Sequence, residues 1–530
     1  MKKYITLFVG LCLLTSCSDF LDEENRKALT DATSFNDPSS FDKLVANVYD
    51  KMRIATTNYD LDHVGTDIFT RGAVVAGIDE LNDYVNMQSF NWSFQANWQN
   101  WYFVIAAANT TIDPAETIVG LADNNKRKGI GEAKFFRAFS YYNLVEQFGG
   151  VPLILHEVRT AESRFERVSE QEIYQQIILD LDDALDAVDE TPDAFGRVSK
   201  SAVRHLKSKV LLTRGYKNFA SPTDYADAAT LAEQVIQRHP LAGNIATLFS
   251  KTGQRDGEVI LSLLYGSDPV SRGVGNNKHL LFKFSYDVYP GMTRSTLYHR
   301  GLGPAPTPYF YTLFEEGDKR EDATIRRTII AEINSPDGRI AAGDTAIYFP
   351  KEAWTAQRIA TKPYTVVNPG QYFTPNSTTQ VHYPMFRKFD DPGVPYTNPG
   401  INPDGERDAV IMRGGEAYLL AAEAYFASGN ATRAAELLNA LRKRAGLTHM
   451  YGAADVTLDV ILDESAKELA GEVSRWIDLK RTGKLIERAK AHNPHVALNN
   501  AFKEFHLLRP IPNAEIDVSG GAIVPNPGYQ

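Results

Sequence analysis

Apolar residues recur at intervals of three and four along most of the chain, and this spacing predicts mainly α-helical structure. One segment shows the pattern clearly, because a capping box of Ser169 and Glu172 precedes a stripe of apolar residues. The predicted helical pairs lie near residues 131–190, 198–239 and 411–445, with further helices near residues 41–53, 98–111 and 460–490.

The segment "AYLLAAEAYFASGNATRAAELLNALRKRAG" predicts how these helices pack. Small and apolar residues occupy the spacing of a tetratricopeptide helix–turn–helix, and Gly429 permits its tight turn. The predicted fold is therefore a tetratricopeptide-like scaffold of helical pairs, an α-α superhelix. The residues at that spacing are Ala422, Tyr425, Gly429, Ala434 and Leu438.

Two segments interrupt the helical pattern. Residues 57–97 lack long periodicity and predict a long ordered loop, and loops of that length usually carry function. Residues 241–410 are dense in proline and glycine and predict irregular structure with a few short strands packed on the scaffold. Residues 17–240 and 241–530 form the two regions of the mature chain. No linker-like stretch separates them, so one compact unit is expected.

The N-terminus predicts export and lipid anchoring. Lys2 and Lys3 precede a short apolar run, and Leu14-Thr15-Ser16-Cys17 has the form of a lipobox, so residues 1–16 are predicted to be a lipoprotein signal peptide. Acylation of Cys17 would anchor the protein to a membrane. Cys12, the other cysteine, would be removed, which excludes a disulfide and a cysteine metal site in the mature chain.

Charge and motifs exclude several classes of function. The formal net charge of −10 argues against nucleic acid as a partner. The chain has no Gly-x-Ser-x-Gly, His-Glu-x-x-His, Walker A or Gly-x-Gly-x-x-Gly motif. Asp60, Asp62, His63 and Asp67 crowd one loop, and calcium could be held there through carboxylate oxygens, but a solvated, self-capping loop is the favoured interpretation. No cofactor or other metal is expected, with a structural calcium ion as the alternative.

Aromatic residues in the two irregular segments are the candidates for ligand binding. Sugar rings stack their C–H faces on aromatic rings, while their hydroxyl groups require charged or amide side chains nearby. Half-buried packing is the competing interpretation for each aromatic residue, and Trp101 and Tyr102, on a predicted helix, are assigned to the core. The candidate residues are Tyr59, Asp67, Arg71, Asp83, Tyr84, Trp92, Tyr286, Tyr289, Arg294 and Tyr298.

Several long motifs, in order along nearly the whole chain, resemble the SusD/RagB family of outer-membrane glycan-binding lipoproteins. They include "CSDFLDEEN", "WYFVIAAANTTID", "EAKFFRAFSYYNLVEQFGGVPL", "GRVSKSAV", "MRGGEAYLLAAEAY", "ELAGEVSRWIDLKRTG" and "LRPIPNAEI". The segment from Asp463 to Glu472 departs from the family pattern. It lacks the usual arginine and inverts a final Glu-Gly pair, which puts its local packing in doubt.

The resemblance implies a non-catalytic lipoprotein of the outer membrane that faces the cell exterior. It implies capture of an oligosaccharide or polysaccharide and its delivery to a SusC-like TonB-dependent transporter. The family's sugar-contacting loops vary, so no binding residue is carried over by motif. A surface enzyme that degrades glycans and a binder of a non-sugar nutrient such as peptide are the alternatives.

Overall fold

The structure is a computed structural model that describes residues 38–57, 59–72, 78–160, 164–268, 272–273, 275–301, 303–373, 382–394 and 404–529. The predicted signal peptide and Cys17 lie outside the described residues. About half of the described residues are helical, and they form 19 α-helices with a few small sheets. The predicted fold class, a mainly α tetratricopeptide-like scaffold with an irregular region, is confirmed.

Of these helices, eight precede the irregular region, four lie within it and seven follow it. The first ten are α1 Pro38–Ala55, α2 Tyr59–His63, α3 Ile78–Asp83, α4 Trp92–Ile112, α5 Asp123–Phe148, α6 Glu170–Ala187, α7 Lys200–Gly215, α8 Asp224–Arg238, α9 Ile245–Leu248 and α10 Pro308–Thr312. The others are α11 Lys319–Thr324, α12 Ala356–Ala360, α13 Gly414–Ala427, α14 Ala431–Arg444, α15 Leu458–Leu469, α16 Arg475–Arg481, α17 Leu485–His492, α18 Pro494–Asn499 and α19 Asn513–Val518. Short 3-10 helices lie at Asp113–Thr117, Asn277–Leu280, Tyr286–Val288, Pro369–Gln371, Ala453–Asp455 and Glu504–Leu507.

The helices pack in neighbouring pairs. Helix α5 packs on α4 and α6, and α7 packs on α8. Helix α8 also packs on α13, so the stack of helices continues across the long irregular segment between them. The expected tetratricopeptide pair is α13 and α14. The capping box at Ser169 and Glu172 is present at the start of α6.

The family motif around Arg137 forms a buried cluster of hydrogen bonds within this stack. Arg137 on α5 donates to both carboxylate oxygens of Asp180 on α6, at 2.8 and 2.7 Å, and to the side-chain oxygen of Asn109 on α4 at 2.9 Å. The hydroxyl of Tyr141 accepts from the backbone N–H of Ile154 at 2.7 Å. These contacts join three helices, so this motif serves the scaffold.

Short strands organise the irregular region. Strands β2 and β9 are antiparallel, with Val259 opposite Arg413 and Leu263 opposite Ala409, so the chain leaves the helical stack and returns to it side by side. Strand β6 pairs with β5 and with β7 in a three-stranded sheet, and β4 pairs with β8. The strands are β1 Phe69–Arg71, β2 Val259–Leu263, β3 Pro304–Pro306, β4 Ile325–Arg326, β5 Thr328–Ile330, β6 Thr345–Tyr348, β7 Thr365–Val366, β8 Met385–Phe386 and β9 Ala409–Arg413.

The segment from Asp463 to Glu472 keeps its local packing despite its departure from the family pattern. Glu464 accepts from Arg320 at 2.7 Å and from Arg442 at 2.9 Å. Gly471 has φ +75°, and a Cβ there would lie 2.8 Å from the ring of Phe389. The inverted glycine therefore stands where a side chain would collide with an aromatic ring.

No helix in the described ranges has both the length and the apolar character needed to cross a membrane.

Candidate functional site

A two-stranded ribbon of β1 and β3 joins the two segments that the sequence analysis selected for ligand binding. Phe69 lies opposite Pro306, and Arg71 lies opposite Pro304. At its end, the N–H of Gly72 donates to the carbonyl of Gly303 at 3.1 Å. A Cβ at Gly72 would lie 2.8 Å from that carbonyl oxygen, so only glycine permits this approach.

Arg71 projects from the end of this ribbon toward two acids of α3. Its guanidinium lies 3.4 Å from a carboxylate oxygen of Asp79 and donates to both oxygens of Asp83 at 3.3 and 3.4 Å. The three side chains are between 13% and 27% exposed, so the cluster opens to solvent. Such loosely paired donors and acceptors are suited to exchange their contacts for the hydroxyl groups of a sugar.

Tyr289 and His382 form a polar aromatic pair in the same irregular region. The tyrosine hydroxyl and Nδ1 of His382 are 2.7 Å apart, and the rings meet edge to face at 5.4 Å. Burial raises the pKa of Tyr289 to about 12 and lowers the pKa of His382, so both rings are neutral at pH 7. The pair is only partly buried and presents an aromatic surface with a hydrogen-bonding edge.

Trp92 is the first residue of α4, the helix that follows α3 along the chain, and it is 53% exposed. Its neighbour Asn91 caps the helix by accepting from the N–H of Ser93 at 3.0 Å and donates to a carboxylate oxygen of Glu80 at 3.4 Å. Phe90, which the sequence analysis did not select, is 77% exposed. Trp92 is therefore an exposed aromatic ring tied through its neighbour to the helix that holds Asp79 and Asp83.

Asp67 serves the scaffold. It is fully buried, and its two oxygens accept hydrogen bonds from Arg475 at 2.9 and 2.6 Å and from Arg488 at 2.8 Å. Burial alone would raise the pKa of Asp67, but the two arginines outweigh it and lower the pKa to about 2. Both oxygens are occupied, so we exclude Asp67 from the candidate glycan site and from the calcium alternative.

Tyr84 is also buried. Its ring stacks on Phe502 with centroids 3.5 Å apart, and its hydroxyl donates to the carbonyl of Gly65 at 2.9 Å. The hydroxyl also accepts from the indole N–H of Trp476 at 3.2 Å. We therefore assign Tyr84 to packing, together with Trp101, whose predicted core position is confirmed.

Tyr286 and Tyr298 lie in the hydrophobic cluster beneath the three-stranded sheet. Tyr286 is fully buried, and Tyr298 is 4% exposed. The Tyr298 hydroxyl accepts from the N–H of Ile330 at 3.2 Å. Neither ring offers a face to a ligand, so both are assigned to packing.

Arg294 is half-buried and stands in a charged group with Arg300 and Asp287. Arg300 donates to both oxygens of Asp287 at 2.7 and 3.0 Å. Burial would raise the pKa of Asp287, but the hydrogen bond from Arg300 and the charges of both arginines lower it. Arg294 keeps its place as a candidate because it is accessible and cationic.

Tyr59 borders a partly open cavity of about 140 Å³, beside Asp62 and Lys278. The Lys278 amine lies 5.4 Å from the centre of the Tyr59 ring. Burial raises the pKa of Asp62 to about 6 and lowers that of Lys278 to about 8. The residues that line the cavity are buried or partly buried, so we assign Tyr59 to this cavity.

No three acidic, histidine or cysteine side chains come together as metal ligands in the ranges that the structure describes. The calcium alternative therefore gains no support from the loop that suggested it.

The stacked helical pairs give the chain the fold of a helical-repeat protein. The irregular region that they carry has aromatic and polar side chains on its outer surface. Residues 262–529 match the family model described as the SusD family, and residues 19–212 match one described as starch-binding, associating with outer membrane. The chain belongs to the SusD/RagB family. Proteins of this family bind glycans and are not enzymes, so this chain is not an enzyme. The description of the family model that matches residues 19–212 associates the chain with the outer membrane.

Relatives cover the chain almost completely. SusD-like protein P2 of Formosa agariphila is 26% identical over 562 residues, which cover 100% of both chains. Starch-binding protein SusD of Bacteroides thetaiotaomicron is 26% identical over 76% of this chain and 73% of its own. The structure of surface glycan-binding protein A from Bacteroides thetaiotaomicron in complex with laminarihexaose is 20% identical, with a TM-score of 0.69 over 92% of this chain and 99% of that chain.

Proposed function

We propose that this protein captures an oligosaccharide or polysaccharide at the cell surface and delivers it to a SusC-like TonB-dependent transporter. The observation that carries the proposal is the ribbon of β1 and β3, which joins the two segments that hold Arg71 and Tyr289. The charged cluster around Arg71 offers hydrogen bonds to sugar hydroxyl groups, and Tyr289 offers a ring for a C–H face. Relatives named for starch and laminarihexaose support a glycan as the ligand.

The proposed site consists of residues whose side chains keep some exposure to solvent. Arg71, Asp83, Trp92, Tyr289 and Arg294 remain from the candidates of the sequence analysis. Asp79 and His382 join them because each contacts one of these side chains directly. The site makes no chemical change in its ligand.

Lipid anchoring places this site outside the cell. We infer that Cys17 is acylated after removal of residues 1–16. Two or more acyl chains are needed for stable anchoring, because one chain gives only reversible binding. Replacement of Cys17 by alanine should release the protein from the outer membrane, which fractionation of cells would detect.

Native affinity electrophoresis of the chain from Ser18 to Gln530 tests glycan capture. We expect retardation in a gel that contains one of a panel of plant, host and fungal polysaccharides, with no breakdown products. Tyr289→Ala and Trp92→Ala should each reduce retardation. Tyr425→Ala removes a partly buried tyrosine from helix α13 instead, and it should leave retardation unchanged.

The outcome separates the alternatives. Unchanged binding by both site variants would overturn the placement of the site. Failure of every polysaccharide, combined with binding of a peptide or another nutrient, would replace the ligand class. Co-purification with a TonB-dependent transporter from outer membranes tests delivery, and its absence would leave a binding protein that does not take part in import.

A further inference from the structure

Trp354 is held beside the three-stranded sheet by hydrogen bonds to a single side chain. Its backbone N–H donates to the side-chain oxygen of Asn368 at 2.9 Å, and its carbonyl accepts from the side-chain nitrogen of Asn368 at 2.9 Å. The ring of Tyr348 on β6 lies 5.1 Å away at an angle of 42°. Trp354 is partly exposed, so these contacts fix an aromatic ring at the surface.

Two cations lie against this ring. The guanidinium of Arg358 is 3.7 Å from the ring centre, and the amine of Lys362, four residues later, is 5.8 Å from it. Arg358 is exposed and Lys362 is partly exposed. Stacking on the indole orients the guanidinium and leaves its N–H groups at the edge of the ring.

In the part of the chain that the structure describes, neither cation has a carboxylate partner. Within the described ranges, Arg358 and Lys362 take part in no ion pair, although the chain as a whole carries a net charge of −10. The two arginines next to the sheet behave differently. Arg326 pairs with Asp390, and Arg327 donates to Glu321 at 2.7 Å. An oriented guanidinium and a nearby amine without counter-charge form a receptor for an anion from outside the chain.

We propose that Tyr348, Trp354, Arg358, Lys362 and Tyr364 form a second carbohydrate contact, here called the aromatic–cationic surface, for a sugar unit that bears an anionic group. The guanidinium donates two parallel hydrogen bonds to a carboxylate or sulfate, and the amine adds a second charge. The exposed aromatic edges accommodate the sugar ring. A uronic acid and a sulfate ester share this chemistry, and the experiment below separates them.

This surface belongs to the same part of the molecule as the proposed site. Tyr364 and Tyr289 both pack at the edge of one hydrophobic cluster, which includes Phe349 and Tyr372. The inference rests on the proposed function only in taking a polysaccharide as the ligand. At the proposed site, Tyr289 supplies neutral contacts, and the charge of Arg71 is paired with acids of helix α3. At the aromatic–cationic surface, the charges of Arg358 and Lys362 are unpaired within the described residues. The two surfaces therefore predict different selectivity.

The test compares acidic and neutral polymers. The chain from Ser18 to Gln530 is run through gels that contain polygalacturonate, dextran sulfate, methyl-esterified pectin or dextran. The variant Arg358→Met/Lys362→Met keeps aliphatic contact with the indole and removes both charges. The control Lys43→Met/Lys443→Met removes two exposed charges from helices α1 and α14.

We expect the first variant to bind polygalacturonate or dextran sulfate tenfold more weakly or worse, about the effect of losing one charge-assisted hydrogen bond. The control should bind both as the natural protein does. A response to polygalacturonate alone identifies a uronic acid, and a response to dextran sulfate alone identifies a sulfate ester. Circular dichroism of each variant verifies that the helices remain folded.

Two results would overturn the inference. One is equal loss in the control, which would mean that net charge alone attracts the polymer. The other is the lack of any preference for the acidic polymers. If neutral polymers still bind in that case, the proposed function stands and only the aromatic–cationic surface is rejected. If none of these four polymers binds, the aromatic–cationic surface is rejected in the same way, and the wider panel of polysaccharides decides the proposed function.

Discussion

Arg413 and Arg358 show two different uses of a guanidinium in the same chain. Arg413 is buried where strand β9 leads into helix α13. It forms ion pairs with Glu258 and Glu468 at 2.7 Å and with Glu472 at 2.5 Å. Arg358 lies on the outer surface and stacks on Trp354. The charge of Arg413 is thus neutralised within the chain, whereas the charge of Arg358 is available to solvent and ligands.

The difference explains why family motifs identify the scaffold and not the ligand. Arg137, Asn109 and Tyr141, which carry the resemblance, lie in the buried cluster that joins α4, α5 and α6. A buried charge that loses its partner is costly, so each of these positions depends on the others. A surface residue such as Tyr289 has no such requirement and can differ between proteins of one fold.

The largest effect should follow from breaking a buried ion pair. Asp67→Asn leaves Arg475 without a counter-charge and weakens the pairing of Arg488. We expect the free energy of unfolding, measured by urea denaturation, to fall by about 3–5 kcal/mol. Asp193→Asn, at a side chain that is 90% exposed, is the control and should have little effect. Equal stability of the two variants would contradict the structural role of Asp67.

Asp62 and Asp67 can be compared through the pH dependence of stability, because their pKa values are shifted in opposite directions. The pKa of Asp67 is lowered to about 2 from an ordinary value of 3.8, so its contribution to stability is complete above pH 3.8 and is lost as the pH falls toward 2. Burial raises the pKa of Asp62 to about 6, so its contribution is complete below pH 3.8 and is lost as the pH rises through 6.

Melting temperatures between pH 4 and 7 test the second of these shifts. Asn resembles the protonated form of Asp, so Asp62→Asn should match the natural protein at pH 4. It should become more stable than the natural protein as the pH rises, because the natural protein must then hold a buried carboxylate. A constant difference between the two proteins across this range would contradict the raised pKa.

The helices were predictable from the sequence because their signals are local. The capping box at Ser169, the apolar spacing and the turn at Gly429 each lie within one or two helical turns. The segment 57–97 was predicted as a loop, but it contains α2, β1, α3 and the start of α4. These elements are short, and contacts with residues near the C-terminus hold them, so periodicity within the segment could not reveal them.

The site was predictable only in part, for the same reason. The partners of Asp67 and Tyr84 that bury them, Arg475 and Trp476, lie about 400 positions further along the chain. The partner of Tyr289, His382, lies 93 positions away. The sequence could rank tyrosines by composition of their surroundings, but it could not tell which of them would be buried.

The smallest expected effect separates the two kinds of tyrosine directly. Tyr289→Ala should weaken binding of the retarding polysaccharide about 2- to 12-fold, because one aromatic contact contributes about 0.5–1.5 kcal/mol. Its melting temperature should change little, since the ring is only partly buried. Tyr84→Ala should leave binding of the polysaccharide unchanged. It should lower the free energy of unfolding by about 3–5 kcal/mol, because loss of the ring creates a cavity between Phe502 and Trp476. Isothermal titration and thermal denaturation of both variants measure the two quantities. If Tyr84→Ala lost affinity while its melting temperature stayed the same, the buried tyrosine would act on the ligand and the division between scaffold and binding surface would fail.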